Sequence, residues 1–182
     1  LPHKTVMKIW MGREKFDGLK KAFEQSGKPL SALTVEECNG KAEEIIRRLK
    51  KLAPDVVFCC NDYFAGRLIS ALLTHGVRVP EEIKVIGYDG LALCDLCAVP
   101  LATVIQPIRK KAELTVELML KRIEKGDSDS EPARTAVTPY FYPSASCGAE
   151  NEMLKEFPIY DDRPSLEMTW TQSLRNIINQ ED

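Results

Sequence analysis

The residues of this chain that could do chemistry fall into a few short clusters. Cys94-Asp95-Leu96-Cys97 has the spacing of half a metal knuckle. A structural zinc site needs four ligands; no second Cys-x-x-Cys follows, and His3 and His75 do not stand at ligand spacing to the pair. No metal is expected there, and no disulfide. A thioredoxin-like redox pair is not expected either, because that motif opens a helix after a strand. The pairs Asn61-Asp62 and Tyr88-Asp89 are of another kind, polar residues directly after apolar runs. Asp and Asn accept hydrogen bonds from ligand hydroxyls, and Asn also donates; the same residues can instead cap a helix or close a turn. Lys15 and Arg13 offer positive charge, and Trp10, Tyr63 and Tyr88 offer rings for stacking. No GxGxxG, Walker A or GxSxG pattern and no His–carboxylate pairing occurs, so the chain is not read as an enzyme and no cofactor is called for.

Those clusters need a scaffold, and the hydrophobic period supplies one by alternating strand and helix. Thr5 to Trp10 reads as a strand, and Glu14 to Gln25 as a helix with Phe16, Leu19, Ala22 and Phe23 at helical spacing, stopped at Gly27. Leu33 to Glu37 is a weak strand. Ala42, Ile45, Ile46, Leu49 and Leu52 form a helical stripe ended by Pro54. Val56 to Cys60 is apolar on both faces, as in a buried parallel strand. A helix through Phe64, Leu68, Ile69 and Leu72 to Gly76 follows, then a strand from Lys84 to Gly87. A loop or short helix over Leu91–Ala98 leads to the strand Ala102 to Ile105. The longest helix starts at Ile108, with Ala112, Val116, Met119 and Ile123 on one stripe. A final strand is expected over Thr135 to Tyr142. This order predicts an α/β fold, a parallel sheet flanked by helices.

The 182 residues carry 44% hydrophobic and 29% charged side chains, enough for a core and an ordinary surface. A net charge of −2 makes the chain a poor holder of DNA phosphates on its own, and the basic run Arg47–Lys51 reads as a solvated helix face. No stretch reaches the ~20 apolar residues of a membrane span, and no signal peptide is visible in the sequence. The cysteines are expected to be mostly small buried apolar side chains in a reducing, cytoplasmic setting.

The phrase PDVVFCCNDYFAGRLISALLTHGVRVPEEIKVIGYDG, from Pro54 to Gly90, followed by PLATVIQP, from Pro100 to Pro107, resembles the LacI/GalR family of transcription regulators. No single piece is diagnostic; their order and spacing together are. The resemblance extends loosely to Arg13–Phe23 and to Tyr142. It implies a periplasmic-binding-protein-like type I fold, mainly its second subdomain, over residues 1–143. The helix over 108–126 would belong to the partner subdomain, and 144–182 would be a linker or tail leading to an output domain outside this chain. The chain would be a fragment of a longer protein.

The resemblance further implies a cytoplasmic homodimer that senses a small-molecule effector of sugar type and contacts DNA only through another domain. Asp89 and Asn61 would hold ligand hydroxyls, with Lys15 or Arg13 supplying positive charge and Tyr88 and Trp10 lining the site. The sequence departs from the family in two places. The effector-gripping arginine of an R-x-x-G-F helix is Lys15 here, which keeps the charge but loses the planar fork. Where the family often has a stacking aromatic, this chain reads Glu37-Cys38-Asn39. A solute-binding transport protein, or the sensor of a non-DNA-binding signalling protein, would share the fold. The cysteines and the GYD and QP phrases favour the regulator.

Overall fold

A computed structural model describes residues 5–8, 13–36, 42–125 and 135–149. Strands β1 (Thr5–Lys8), β2 (Leu33–Glu36), β3 (Val56–Phe58), β4 (Lys84–Asp89), β5 (Ala102–Ile105) and β6 (Tyr140–Tyr142) form one sheet in the order β2-β1-β3-β4-β5-β6. Helices α1 (Arg13–Gln25), α2 (Ala42–Leu52), α3 (Asp62–Thr74) and α4 (Ile108–Lys125) alternate with them. The first five strands pair in parallel, and β6 returns antiparallel to β5, with Val104 opposite Phe141.

β3 and β4 are inner strands, as their two-faced apolar character predicts. Ile46 and Leu49 of α2, Ala65, Ile69 and Leu72 of α3, and Val57, Val85 and Leu101 form a single buried cluster. Burying a side chain of this size stabilises by about 1.5–3 kcal/mol. The charges of α2 stay outside: Arg47, Arg48, Lys50 and Lys51 are exposed, with Glu43 and Glu44 in the first turn and the lysines in the last, as the helix dipole favours.

The sheet is parallel over its first five strands, and β6 turns antiparallel because the chain reverses after α4. Two expected strand boundaries need correction. The last strand occupies only Tyr140–Tyr142, while residues 135–139, which end in a proline that cannot donate to a ladder, have no strand pairing. β4 continues past Gly87 to Asp89, because β5 offers Val104 and Ile105 as partners to Tyr88 and Asp89. Residues 144–149, the start of the stretch read as a linker partly docked on the body, pack on the sheet. Ser146 is wholly buried, accepting from Ala102 N at 2.8 Å and donating to Val85 O at 2.6 Å, so it staples β4 to β5. The remainder of the expected linker or tail, residues 150–182, lies outside the described residues.

α4 stands apart. Ile108, Val116, Met119, Leu120 and Ile123 are more than half exposed, and none of the described residues covers that stripe. α3 and β4, by contrast, meet where β4 has no side chain. A Cβ on Gly87 would overlap Asp62 Oδ1 and lie 3.1 Å from Leu101 Cδ2. Gly87→Ala is therefore expected to lower stability by roughly 1–3 kcal/mol, the usual result of overpacking. A melting temperature equal to wild type would show that this contact yields easily.

Candidate functional site

In open α/β sheets ligands sit at the carboxyl ends of the strands. Here the ends of β3, β4 and β5 bring Cys60-Asn61, Tyr88-Asp89 and Gln106 to one rim, and the start of α1 adds Lys15. Lys15 Nζ lies 3.5 Å from the centroid of the Tyr88 ring and donates to Cys60 O at 3.4 Å. The ammonium thus sits on a π face and beside a carbonyl, a setting worth about 0.5–2 kcal/mol. Burial, helped by the nearby Asp89 carboxylate, pushes the Tyr88 phenol above its ordinary value of 10, so its hydroxyl stays neutral and able to donate.

Asp89 is the most constrained residue of the rim. Its φ is +121°, which L residues rarely adopt, at a cost on the order of 1–3 kcal/mol. Its Oδ1 accepts from Gln106 Nε2 at 2.6 Å, and its carbonyl accepts from Gln106 N at 3.3 Å. Gln106 Oε1 in turn accepts from Lys111 Nζ. A chain of polar contacts therefore runs from the end of β4, through the β5–α4 connection, into the first turn of α4. Asn61 carries out the capping role: its Oδ1 accepts from Phe64 N at 2.9 Å.

The other expected residues lie as follows. Arg13 opens α1, where only its backbone is described, and Trp10 lies outside the described residues. Tyr63 packs edge-on against Phe64 at 5.9 Å, with Arg67 5.8 Å from its ring, on an exposed part of α3. That arrangement sets it against its own helix instead of the rim. Cys94 is buried, and Cys97 Sγ donates to Leu93 O at 3.4 Å.

Gln106 and Lys111 escaped the sequence reading, and Asp62, expected beside Asn61 as a ligand or capping residue, has another role. Asp62 is completely buried. Its Oδ1 accepts from Thr103 Oγ1 at 2.5 Å and its Oδ2 from Leu91 N at 2.7 Å, while Thr103 Oγ1 also accepts from Gly90 N at 3.3 Å. One signal was available: a glycine inside a buried strand marks a close approach, and Gly87 is where Asp62 approaches. Nothing in residue type or spacing pointed to Lys111. Chemically, the rim offers an anionic acceptor, amide donors, a neutral phenol and two ammonium groups. That mixture suits a small ligand rich in hydroxyls and supplies no nucleophile–base pair.

The periplasmic binding protein-like domain family matches residues 9–147, and the chain belongs to that family. The HTH-type transcriptional repressor PurR of Vibrio vulnificus is 34% identical over 122 residues, 64% of this chain and 36% of that protein. The chain thus spans about a third of the length of this relative. Among solved structures, a LacI family transcriptional regulator from Enterococcus faecium with bound ribose superposes with a TM-score of 0.67 at 24% identity, over 80% of this chain and 56% of that one. One from Arthrobacter, in complex with lactose, gives 0.65 at 21% identity, over 79% and 57%. At these identities the two structures speak for the fold.

The electrostatics of the rim can be checked by alkaline titration. The tyrosinate signal lost in Tyr88→Phe should titrate above the ordinary range. In Asp89→Asn it should shift downward, since a negative neighbour is removed while the burial remains. An upward or absent shift would contradict the assignment of Asp89 as a cause.

Proposed function

We propose that this chain is the effector-sensing part of a LacI/GalR-type transcription regulator, and that its ligand is a small polyhydroxylated molecule of sugar type. The observation that carries the reading is the convergence of Lys15, Tyr88, Asp89 and Gln106 on the carboxyl rim of the sheet. Support comes from the ribose and lactose complexes among the structural neighbours and from the repressor relatives. In this reading Asp89 accepts from ligand hydroxyls, the Asn61 amide donates, and Lys15 with Arg13 provides the cationic side. Effector binding favours one arrangement of two subdomains over another and so biases an attached DNA-binding domain. The protein acts in the cytoplasm as a homodimer and catalyses no reaction.

We further read α4 as a helix of the other subdomain, which accounts for its uncovered apolar stripe. The 182-residue chain by itself should then associate as its concentration rises, and Met119→Glu combined with Ile123→Glu should reduce that association in light scattering. A monomer at every concentration would count against this assignment.

The function itself is tested by calorimetry on the full-length protein, against a panel of pentoses, hexoses and disaccharides that includes ribose and lactose. At least one should bind saturably. Asp89→Ala should weaken that binding roughly ten- to a hundredfold, the consequence of losing a charged hydrogen-bond partner, with little change in melting temperature. If no sugar binds, the ligand class is wrong. If affinity holds while the melting temperature collapses, Asp89 is a turn-closing residue.

A further inference from the structure

We infer that Asp62, with Thr103 as its relay, is the positioning residue that sets the Asp89 carboxylate on the rim. This deepens the effector-site reading above. Three facts carry it. Asp62 is fully buried although ionisable, and both of its oxygens are engaged, by Leu91 N–H and by the Thr103 hydroxyl. Thr103 Oγ1 also receives Gly90 N–H. The two residues after Asp89 are therefore both pinned through their backbone amides to one buried carboxylate, directly or through one hydroxyl. Gly90 itself takes a φ of +78° close against β5, where an added Cβ would lie 2.9 Å from Ile105 Cα, so the turn passes tightly over that strand.

Asp89 joins β4 to this pinned pair and takes up a φ of +121°. An unfavourable backbone angle persists only where the surroundings over-determine it, and on the two residues that follow the surroundings are Asp62 and Thr103. The orientation of the Asp89 side chain follows from that angle, and so does its bond to Gln106 Nε2. An aspartate in the first turn of a helix is otherwise explained by the helix dipole. That explanation would leave the side chain near solvent at the helix end, whereas this one reaches across Gly87 to the turn after β4.

The readout is the Gln106 side-chain amide, which touches Asp89 and not Asp62. It is followed by NMR of the labelled full chain without any ligand, so failure of the sugar reading would leave this test intact. Asp89→Asn supplies the reference in which the charge-assisted bond is lost. In Asp62→Asn the Gln106 amide protons should move to the reference positions and exchange roughly tenfold faster than in wild type. Amides of Ile69 and Leu72 in the core should keep their protection. The double variant should match Asp89→Asn alone, because Asp62 acts through Asp89. Thr103→Val should give the same displacement, and Thr103→Ser should restore the wild-type signal. If Asp62→Asn does not fold, the two Thr103 variants decide: one signal common to wild type, valine and serine would overturn the proposal. So would a folded Asp62→Asn with an unchanged Gln106 amide.

Discussion

A carboxylate sealed inside an apolar core is among the costliest groups a small domain can hold, and it is tolerated only when hydrogen bonds replace its water. Asp62 meets that condition with donors drawn from two other segments, the turn after β4 and the strand β5. The contact also demands space, and space exists only because β4 carries glycine at position 87. Helix start, strand glycine, strand hydroxyl and turn amides are thus mutually required. Losing one partner would strand a buried charge and would not merely subtract a single bond.

Around this joint the packing is uneven. The cluster built from α2, α3, β3 and β4 contains the completely buried Ile69, Leu72, Val57 and Val85. α1 has no fully buried residue among its described side chains, and Val35 at the β2 edge is half exposed. Local opening costs least where few apolar contacts must be broken. Asp89 therefore rests on the firmest part of the sheet, while Lys15 reaches the rim from a more weakly anchored helix. A rim assembled this way has a fixed acceptor and a more adjustable cation. The departure from arginine at Lys15 fits that division, since a flexible ammonium stem tolerates movement that a planar fork does not.

What the sequence made legible follows from which forces are local. The apolar runs Val56–Phe58 and Val85–Ile86 and the stripe Ile45-Ile46-Leu49 encode their own burial, and each element stands close to where periodicity placed it. Asn61 could be named as a cap because its partner, the Phe64 N–H, lies only three residues away. Asp62 and Gln106 depend on partners 41 and 17 residues away, and no local pattern reports such pairings. The end of β4 was misjudged for the same reason, since Tyr88 and Asp89 become strand only through β5. The antiparallel return of β6 is likewise a property of chain path. Of the strand expected over 135–142, only Tyr140–Tyr142 finds a neighbour.

The polar chain from Asp89 through Gln106 to Lys111 gives the rim a physical connection to α4. Asp89 Oδ1 already holds a donor, and in the proposed reading a ligand hydroxyl that takes that donor's place would release the Gln106 amide. Hydrogen bonds to a charged group contribute about 1.5–3 kcal/mol, and coupling between two sites is typically 1–3 kcal/mol. The exchange of one such bond is therefore of the size needed to shift a two-state equilibrium several-fold, without any large strain in the sheet. Gln106 immediately precedes Pro107, whose ring fixes its own φ and narrows the conformations open to the residue before it. With that backbone restricted, a released Gln106 side chain has few local ways to absorb the change. Its remaining contact is Lys111, on the first turn of a helix whose apolar stripe none of the described residues covers. In the proposed reading, the stiffness of the Gln106-Pro107 connection is what turns a local change of partner into a change in where α4 stands.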